Sequence, residues 1–218
     1  EDRLTFSAGF LHSCSVRDAT LFCWGDNSTG QLGDGTTTLR NLPTLVTGMN
    51  SGVSIVSAAG SHTCAIRNGM LFCWGSNGRG QLGNNTVTQS NVPITVTDMA
   101  GGVVAVAAHG DHTCAIRQGM LFCWGWNVYG QLGDGTTANR NRPVTVTNML
   151  SDVSAVATGV HHSCAIQQGE VFCCGDNTFG QIGDGTTAQR NTPVAVSGLG
   201  GGITALAAGA HHNCAIRN

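Results

Sequence analysis

"HTCAIRNGMLFCWG", residues 62–75, contains two cysteines nine positions apart, with Asn68-Gly69 midway between them. Asn-Gly flanked by apolar runs is the strongest short-range signal for a β-hairpin with a two-residue turn. That turn makes Cys64 and Cys73 a non-hydrogen-bonded cross-strand pair, in which the Cα atoms approach to about 4.5 Å. The spacing therefore predicts a disulfide between the two strands.

Nearly the same string returns every fifty residues. Residues 12–25, 112–125 and 162–175 are close copies, and a partial copy begins at His211. A fixed period of this length indicates a solenoid, a propeller or another repeat array. The predicted disulfides are Cys14–Cys23, Cys64–Cys73, Cys114–Cys123 and Cys164–Cys173.

Each period reads as four short strands. In the second period these are residues 53–57, 62–67, 70–74 and 93–97, the last entered by Pro93. Four strands in fifty residues match the size of a propeller blade. The sequence thus predicts an all-β, β-propeller-type array of four-stranded blades at 1–50, 51–100, 101–150 and 151–200, with a partial blade at 201–218. About four and a half blades would form an open ring, a fragment of a larger propeller, or an array completed by neighbouring subunits.

A metal site is the alternative use of the cysteines. His62, Cys64 and Cys73 offer three ligands on one strand face, because side chains at i and i+2 point the same way. Zinc-binding cysteines, however, usually come as Cys-x₂₋₄-Cys pairs, which the repeat lacks. The spacing favours disulfides, with the recurrent histidine as a packing or hydrogen-bonding residue, and we predict no metal and no cofactor.

The composition limits the partners and the compartment. The net charge is −2, the chain has no lysine, and the arginines form no basic stripe, which argues against nucleic acid as a partner. The apolar runs are too short to insert into a membrane. Ten cysteines in paired geometry predict an oxidising compartment, and hence a secreted, extracellular protein. Asn27 and Asn84 lie in glycosylation sequons, so a glycan is a further expectation.

The repeat resembles a known family. The string Cys73-Trp74-Gly75-Ser76-Asn77, followed by Gly80-Gln81-Leu82-Gly83, is similar to the regulator of chromosome condensation repeat, and the similarity covers essentially the whole chain. The resemblance implies a β-propeller whose loops bind partners. The family's namesake is an exchange factor for a small GTPase, and secreted relatives include a β-lactamase inhibitor. The cysteine pairs depart from the nuclear type and resemble secreted members.

Function is expected where the copies differ, because features common to every copy are explained by the blade itself. After each blade's third strand the loops diverge, and Arg79, Trp126, Tyr129 and Phe179 are predicted to lie on adjacent blades at one rim. These residue types are enriched at binding hot spots, so we predict that they bind a partner. The alternative is that the rings cover gaps between blades. A second variable set lies in the loop before the outer strand, and these arginines are expected to be solvated: Arg40, Arg140, Arg142 and Arg190.

Two cysteines fall outside the four pairs. Cys174 replaces the tryptophan found in the other copies, and the pairing position for Cys214 would be residue 223. The sequence suggests a fifth bridge, Cys174–Cys214, with intermolecular pairing of Cys214 as the alternative.

These observations predict a non-catalytic extracellular scaffold, either binding or structural, that contacts proteins through its blade loops. Three other functions stay open. The first is a subunit that self-assembles into a filament or oligomer. The second is a guanine-nucleotide exchange factor, which the disulfides disfavour. The third is an extracellular enzyme, for which the sequence offers no catalytic residues.

Overall fold

The computed structural model describes residues 5–218, which form β-strands joined by turns and loops. The first sheet contains β1 (Thr5–Ala8), β2 (His12–Arg17), β3 (Thr20–Gly25) and β4 (Arg40–Leu45). The second contains β5 (Val53–Ala58), β6 (His62–Arg67), β7 (Met70–Gly75) and β8 (Ser90–Thr95). The third contains β9 (Val103–His109), β10 (His112–Arg117), β11 (Met120–Gly125) and β12 (Arg140–Thr145). The fourth contains β13 (Val153–Thr158), β14 (His162–Gln167), β15 (Glu170–Gly175) and β16 (Arg190–Ala195). A two-stranded sheet of β17 (Ile203–Ala208) and β18 (Asn213–Arg217) follows.

This architecture confirms the predicted all-β array of about four and a half propeller blades. In every sheet the strands pair in chain order, and the first strands of successive sheets pack against one another, as β5 does with β1 and β9. Among residues 5–218 there is no helix long and apolar enough to cross a membrane.

One strand boundary was predicted wrongly. Pro93 was expected to open the fourth strand of its blade, whereas it lies inside β8. Because β8 is the outer strand and bonds only to β7, the missing N–H of proline can face away from the sheet.

The predicted hairpin forms around Asn68 and Gly69. Both residues have positive φ angles, 51° and 73°, as a type I′ turn requires. Cys64 then lies opposite Cys73, and the disulfide between them has a Cα–Cα distance of 4.1 Å. The structure contains the same bridge in the other three full blades, as Cys14–Cys23, Cys114–Cys123 and Cys164–Cys173.

The hydrophobic core lies between blades. The bridge Cys64–Cys73 is buried with Leu71 of its own blade and with Val106 and Trp124 of the next. Adjacent residues on a strand point to opposite faces, so each bridge faces the following blade, while Trp74 and Trp124 face the preceding one. The first three blades therefore pack on one another through a bridge on one side and an indole on the other, and the fourth blade has Cys174 at the tryptophan position.

A backbone carbonyl of the Gly-Gln-Leu-Gly loop accepts a hydrogen bond from the indole of Trp74 and, in the next blade, from that of Trp124. The carbonyl of Gln31 accepts hydrogen bonds from Trp74 Nε1 at 2.9 Å and from Thr63 Oγ1 at 2.7 Å. Gly33 lies directly against the indole, and a Cβ added there would come within 2.5 Å of Nε1. We call this contact between the glutamine carbonyl and the next blade the blade joint.

The recurrent histidine is part of the blade joint. His12 Nε2 lies 2.8 Å from Thr63 Oγ1. Thr63 already donates its hydroxyl hydrogen to Gln31, so Nε2 of His12 is the protonated nitrogen and donates. The same contact recurs as His62–Thr113, His112–Ser163 and His162–Asn213, at 2.8 to 2.9 Å. The histidine thus hydrogen-bonds across blades.

The predicted bridge Cys174–Cys214 is wrong. Both cysteines are free. Cys174 faces the preceding blade from the tryptophan position, with its Sγ donating to the carbonyl of Gln131 at 3.6 Å. Cys214 aligns with Cys164, which faces the following blade. Cys174 therefore faces the third blade, whereas Cys214 lies on the outer side of the fifth, so two blades separate the thiols and they cannot pair. Burial raises the pKa of the Cys174 thiol to about 12, so this thiol is unreactive.

We expect the double variant Cys64→Ala/Cys73→Ala to lower the free energy of unfolding. The bridge closes a ten-residue loop, which on the chain-entropy model contributes at most about 2.7 kcal/mol. Guanidinium denaturation measures the change, with Cys214→Ala as the control at an exposed, unbonded cysteine. Equal stability of the two variants would contradict the disulfide assignment.

Stability should also fall as the pH falls from 8 to 5. Burial lowers the pKa of His62 and His112 to about 3, below the unfolded value of 6.5. At pH 5 these histidines are protonated in the unfolded chain but still neutral in the folded protein. Protonation therefore favours the unfolded chain, and each of the two histidines lowers the free energy of unfolding by about 2 kcal/mol between pH 8 and pH 5. Denaturation of the wild type and of His62→Gln at both pH values tests this expectation. The variant keeps an amide donor for Thr113 and should lose less stability on acidification; an identical pH dependence would refute this origin.

Candidate partner-binding site

The loops that diverge between copies meet at one end of the blades. In each four-stranded sheet the loop from the first strand to the second and the loop from the third strand to the fourth lie at the same end, because the strands alternate in direction. We call this end the rim.

A buried asparagine closes each long rim loop. Asn27 donates from Nδ2 to the carbonyls of Thr36 and Thr38 and accepts from the backbone N–H of Leu32. Its side chain is fully buried, which makes the predicted glycosylation of Asn27 wrong, because a glycan on Nδ2 would break these bonds and has no room. Asn84 is only partly buried, so glycosylation there stays a prediction.

Salt bridges fasten three of the four loops. Asp34 accepts from the backbone and side chain of Thr36 and pairs with Arg40 at 2.8 Å. The same pair recurs as Asp134–Arg140 and Asp184–Arg190. Those arginines are therefore loop braces rather than the solvated side chains that we expected. In the second blade Asn84 and Ser90 replace both partners together.

Three of the four predicted binding residues contact one another. The Trp126 and Tyr129 rings meet edge to face with centroids 5.7 Å apart. The Arg79 guanidinium lies 5.6 Å from the centroid of the Trp126 ring, within the range of a cation–π contact. Trp126 and Tyr129 are half-buried and Arg79 is exposed.

Two histidines connect Phe179 to this group. His161 stacks on Tyr129 with centroids 4.7 Å apart and meets the edge of Trp126 at 5.0 Å. His211 lies 6.2 Å from His161 and 5.3 Å from the ring of Phe179, which is 71% exposed. We name the continuous set the rim cluster; it spans blades two to five and consists of Arg79, Trp126, Tyr129, His161, His211 and Phe179.

His161 and His211 are absent from the set of binding residues predicted from the sequence. The pairs His161-His162 and His211-His212 are visible in the sequence, but a strand alternates its side chains, so one histidine of the first pair enters the blade joint and the other reaches the rim. Within residues 5–218 there is no group of three or more His, Cys, Asp or Glu side chains placed to hold a metal ion.

The rim cluster offers an aromatic surface with one positive charge. Burial lowers the pKa of His161, so its ring is neutral near pH 7 and stacks on Tyr129 as an aromatic surface. Arg79 supplies the charge and Phe179 an exposed apolar face. Aromatic rings and arginine are the groups that contribute most to protein–protein binding energy.

Comparison with family models finds four consecutive matches to the regulator of chromosome condensation (RCC1) repeat, at residues 18–66, 68–116, 118–166 and 168–216. A second model with the same description matches residues 153–181. The family's repeat is offset from the sheets, because it begins at the hairpin turn of one blade and ends in the second strand of the next.

Solved structures with the same fold include propellers from yeast and human. A structure of Kap60 bound to yeast RCC1 (Prp20) superposes with a TM-score of 0.82 at 20% identity, covering 98% of this chain and 53% of that one. Prp20p from Saccharomyces cerevisiae, described with its binding to Gsp1p and histones, gives 0.80 at 19% identity, covering 99% and 56%. Human WBSCR16 gives 0.65 at 22% identity, covering 100% and 73%. At these identities the likeness concerns the fold alone.

The curated relatives match over a short segment. The human and mouse E3 ubiquitin-protein ligase HERC2 are each 48% identical to 44 residues, which is 20% of this chain and 1% of the ligase. The chain thus spans about half the length of the yeast propellers and a very small part of HERC2.

Proposed function

This chain belongs to the regulator of chromosome condensation (RCC1) repeat family, and from that premise we propose that it is a non-catalytic scaffold whose rim cluster binds a protein partner. The observation that carries the proposal is the unbroken line of contacts from Arg79 to Phe179 across neighbouring blades. Most of what recurs in the chain serves the blade joint, the bridges or the loop braces, whereas the rim cluster occurs once.

We place the scaffold outside the reducing cytosol. Four disulfides persist only where thiols are not kept reduced, which supports a secreted, extracellular protein. The same argument disfavours exchange-factor activity on a small GTPase, a cytosolic or nuclear reaction.

Self-association is the second candidate, and one observation favours it. Cys214 is exposed and has no disulfide partner in the part of the chain that the structure covers. An exposed thiol in an oxidising compartment can join two copies. Light scattering and a non-reducing gel detect this disulfide-linked oligomer. It should disappear in Cys214→Ala, whereas an assembly through other surfaces should persist in that variant.

Exchanging rim residues for those of sister blades tests the binding role. In Trp126→Ser/Tyr129→Thr both new residues already occur at these positions, as Ser76 and Thr29, so the fold should be kept. We expect the immobilised wild type to capture a partner from extracellular fluid and the double variant to bind it about a hundredfold more weakly, because two hot-spot residues are lost.

The matched control is Val128→Ser, which changes an exposed residue of the same loop to that of the first blade, Ser28. This variant should bind like the wild type. Equal binding by the wild type and the double variant would contradict the proposal, as would faster nucleotide release from a small GTPase.

A further inference from the structure

The side-chain amide of Gln131 lacks a partner that its three counterparts have. In the other full blades the equivalent Nε2 donates to a carboxylate: Gln31 to Asp26 at 2.7 Å, Gln81 to Asp111 at 3.1 Å and Gln181 to Asp176 at 2.9 Å. Gln131 is fully buried, and its Nε2 has no hydrogen-bond partner within residues 5–218. Buried polar groups are rarely left unpaired, so the exception needs a physical reason.

Two substitutions remove the carboxylates. Trp126 occupies the position of Asp26 and Asp176, and His161 occupies the position of Asp111. The Trp126 and His161 rings contact each other where the carboxylates would be, with their centroids 5.0 Å apart. Gln131 is otherwise held like its counterparts, because its Oε1 accepts from the backbone N–H of Tyr129. The third blade thus keeps an oriented donor and has lost the acceptor.

The Arg79 guanidinium is the positive group that favours an anion at this amide. The two carboxylates near His161, Asp111 and Asp176, already accept hydrogen bonds from the glutamines of the neighbouring blades. Arg79 lies beside Trp126, and the salt bridges of the described residues involve other arginines. A carboxylate that enters between Trp126 and His161 would accept from Gln131 Nε2 and meet the guanidinium. Hydrogen bonds to a charged acceptor are stronger than neutral ones.

We propose that the rim cluster recognises an acidic side chain of a protein partner, whose carboxylate fills the position left by the missing aspartates. Its entry requires the partly exposed His161 ring to rotate away from Trp126. Apolar residues next to the acidic one then pack on Trp126, Tyr129 and Phe179. The inference rests on the proposed function, since it names the kind of partner that the rim cluster binds.

Fluorescence anisotropy with a defined peptide tests the inference on the oxidised, full chain. The probe is a fluorescein-labelled peptide of alternating glutamate and phenylalanine, and the reference replaces each glutamate by glutamine. We expect the acidic peptide to bind at least about tenfold more tightly than the neutral one, because its carboxylate pairs with a buried donor.

Two variants at Trp126 distinguish the effect of the missing carboxylate from the effect of the aromatic ring. Trp126→Asp restores the carboxylate found in blades one and four, so the amide of Gln131 is satisfied internally and the preference for the acidic peptide should disappear. Trp126→Ser introduces the residue of blade two, Ser76, and should weaken both peptides while keeping the preference. Both variants should unfold cooperatively, because these residues already occur in sister blades.

The outcomes distinguish this inference from the proposed function. Equal binding of the two peptides, or binding of neither, would overturn the carboxylate assignment, while the capture experiment with Trp126→Ser/Tyr129→Thr could still succeed. Preference for an acidic oligouronate over the acidic peptide would overturn the assignment to a protein partner. An unchanged preference in Trp126→Asp would overturn the role of Gln131.

Discussion

The backbone carbonyl of the loop glutamine, which accepts hydrogen bonds from the next blade, fixes the geometry of the array. The donor is an indole at Trp74 and Trp124 and a thiol at Cys174. Gln31, Gln81 and Gln131 each present this carbonyl to the next blade. The glycine two residues later lets the indole approach the backbone closely. The hydroxyl that donates to the same carbonyl accepts a hydrogen bond from the histidine of the preceding blade. A single loop conformation therefore sets both the spacing of the blades and the position of the rim loop that carries the same glutamine.

The dual role of that glutamine links architecture to binding. Its backbone carbonyl belongs to the blade joint, while its side chain shapes the rim loop by accepting from the residue two positions earlier. The rim cluster is consequently supported by parts common to every blade. Divergence at Trp126 and His161 alters the surface and leaves the joint intact, which is how a repeat array can acquire one site among similar copies.

The sequence predicted features that depend on local chemistry. Asn68-Gly69 determines the turn, the turn determines the register, and the register places Cys64 opposite Cys73. It failed where the outcome depends on which face a residue occupies in three dimensions. Cys174 and Cys214 occur in neighbouring repeats, but the fourth and fifth blades lie between their thiols. Asn27 carries a sequon although it is buried. The sequence also does not reveal that Gln131 Nε2 lacks a partner, because this requires the structure to show that the equivalent glutamines donate to carboxylates.

The most direct test of the account is the stability of three tryptophan-to-phenylalanine variants, measured by chemical denaturation. Trp74 is fully buried and donates to Gln31, Trp24 occupies the same position in the first blade but is only half-buried, and Trp126 lies on the rim. The account predicts that Trp74→Phe loses about 1–3 kcal/mol of unfolding free energy, because it removes a buried hydrogen bond and part of a buried ring. Trp24→Phe and Trp126→Phe should each lose less than about 0.5 kcal/mol. Equal losses in all three variants would contradict the central place given to the blade joint.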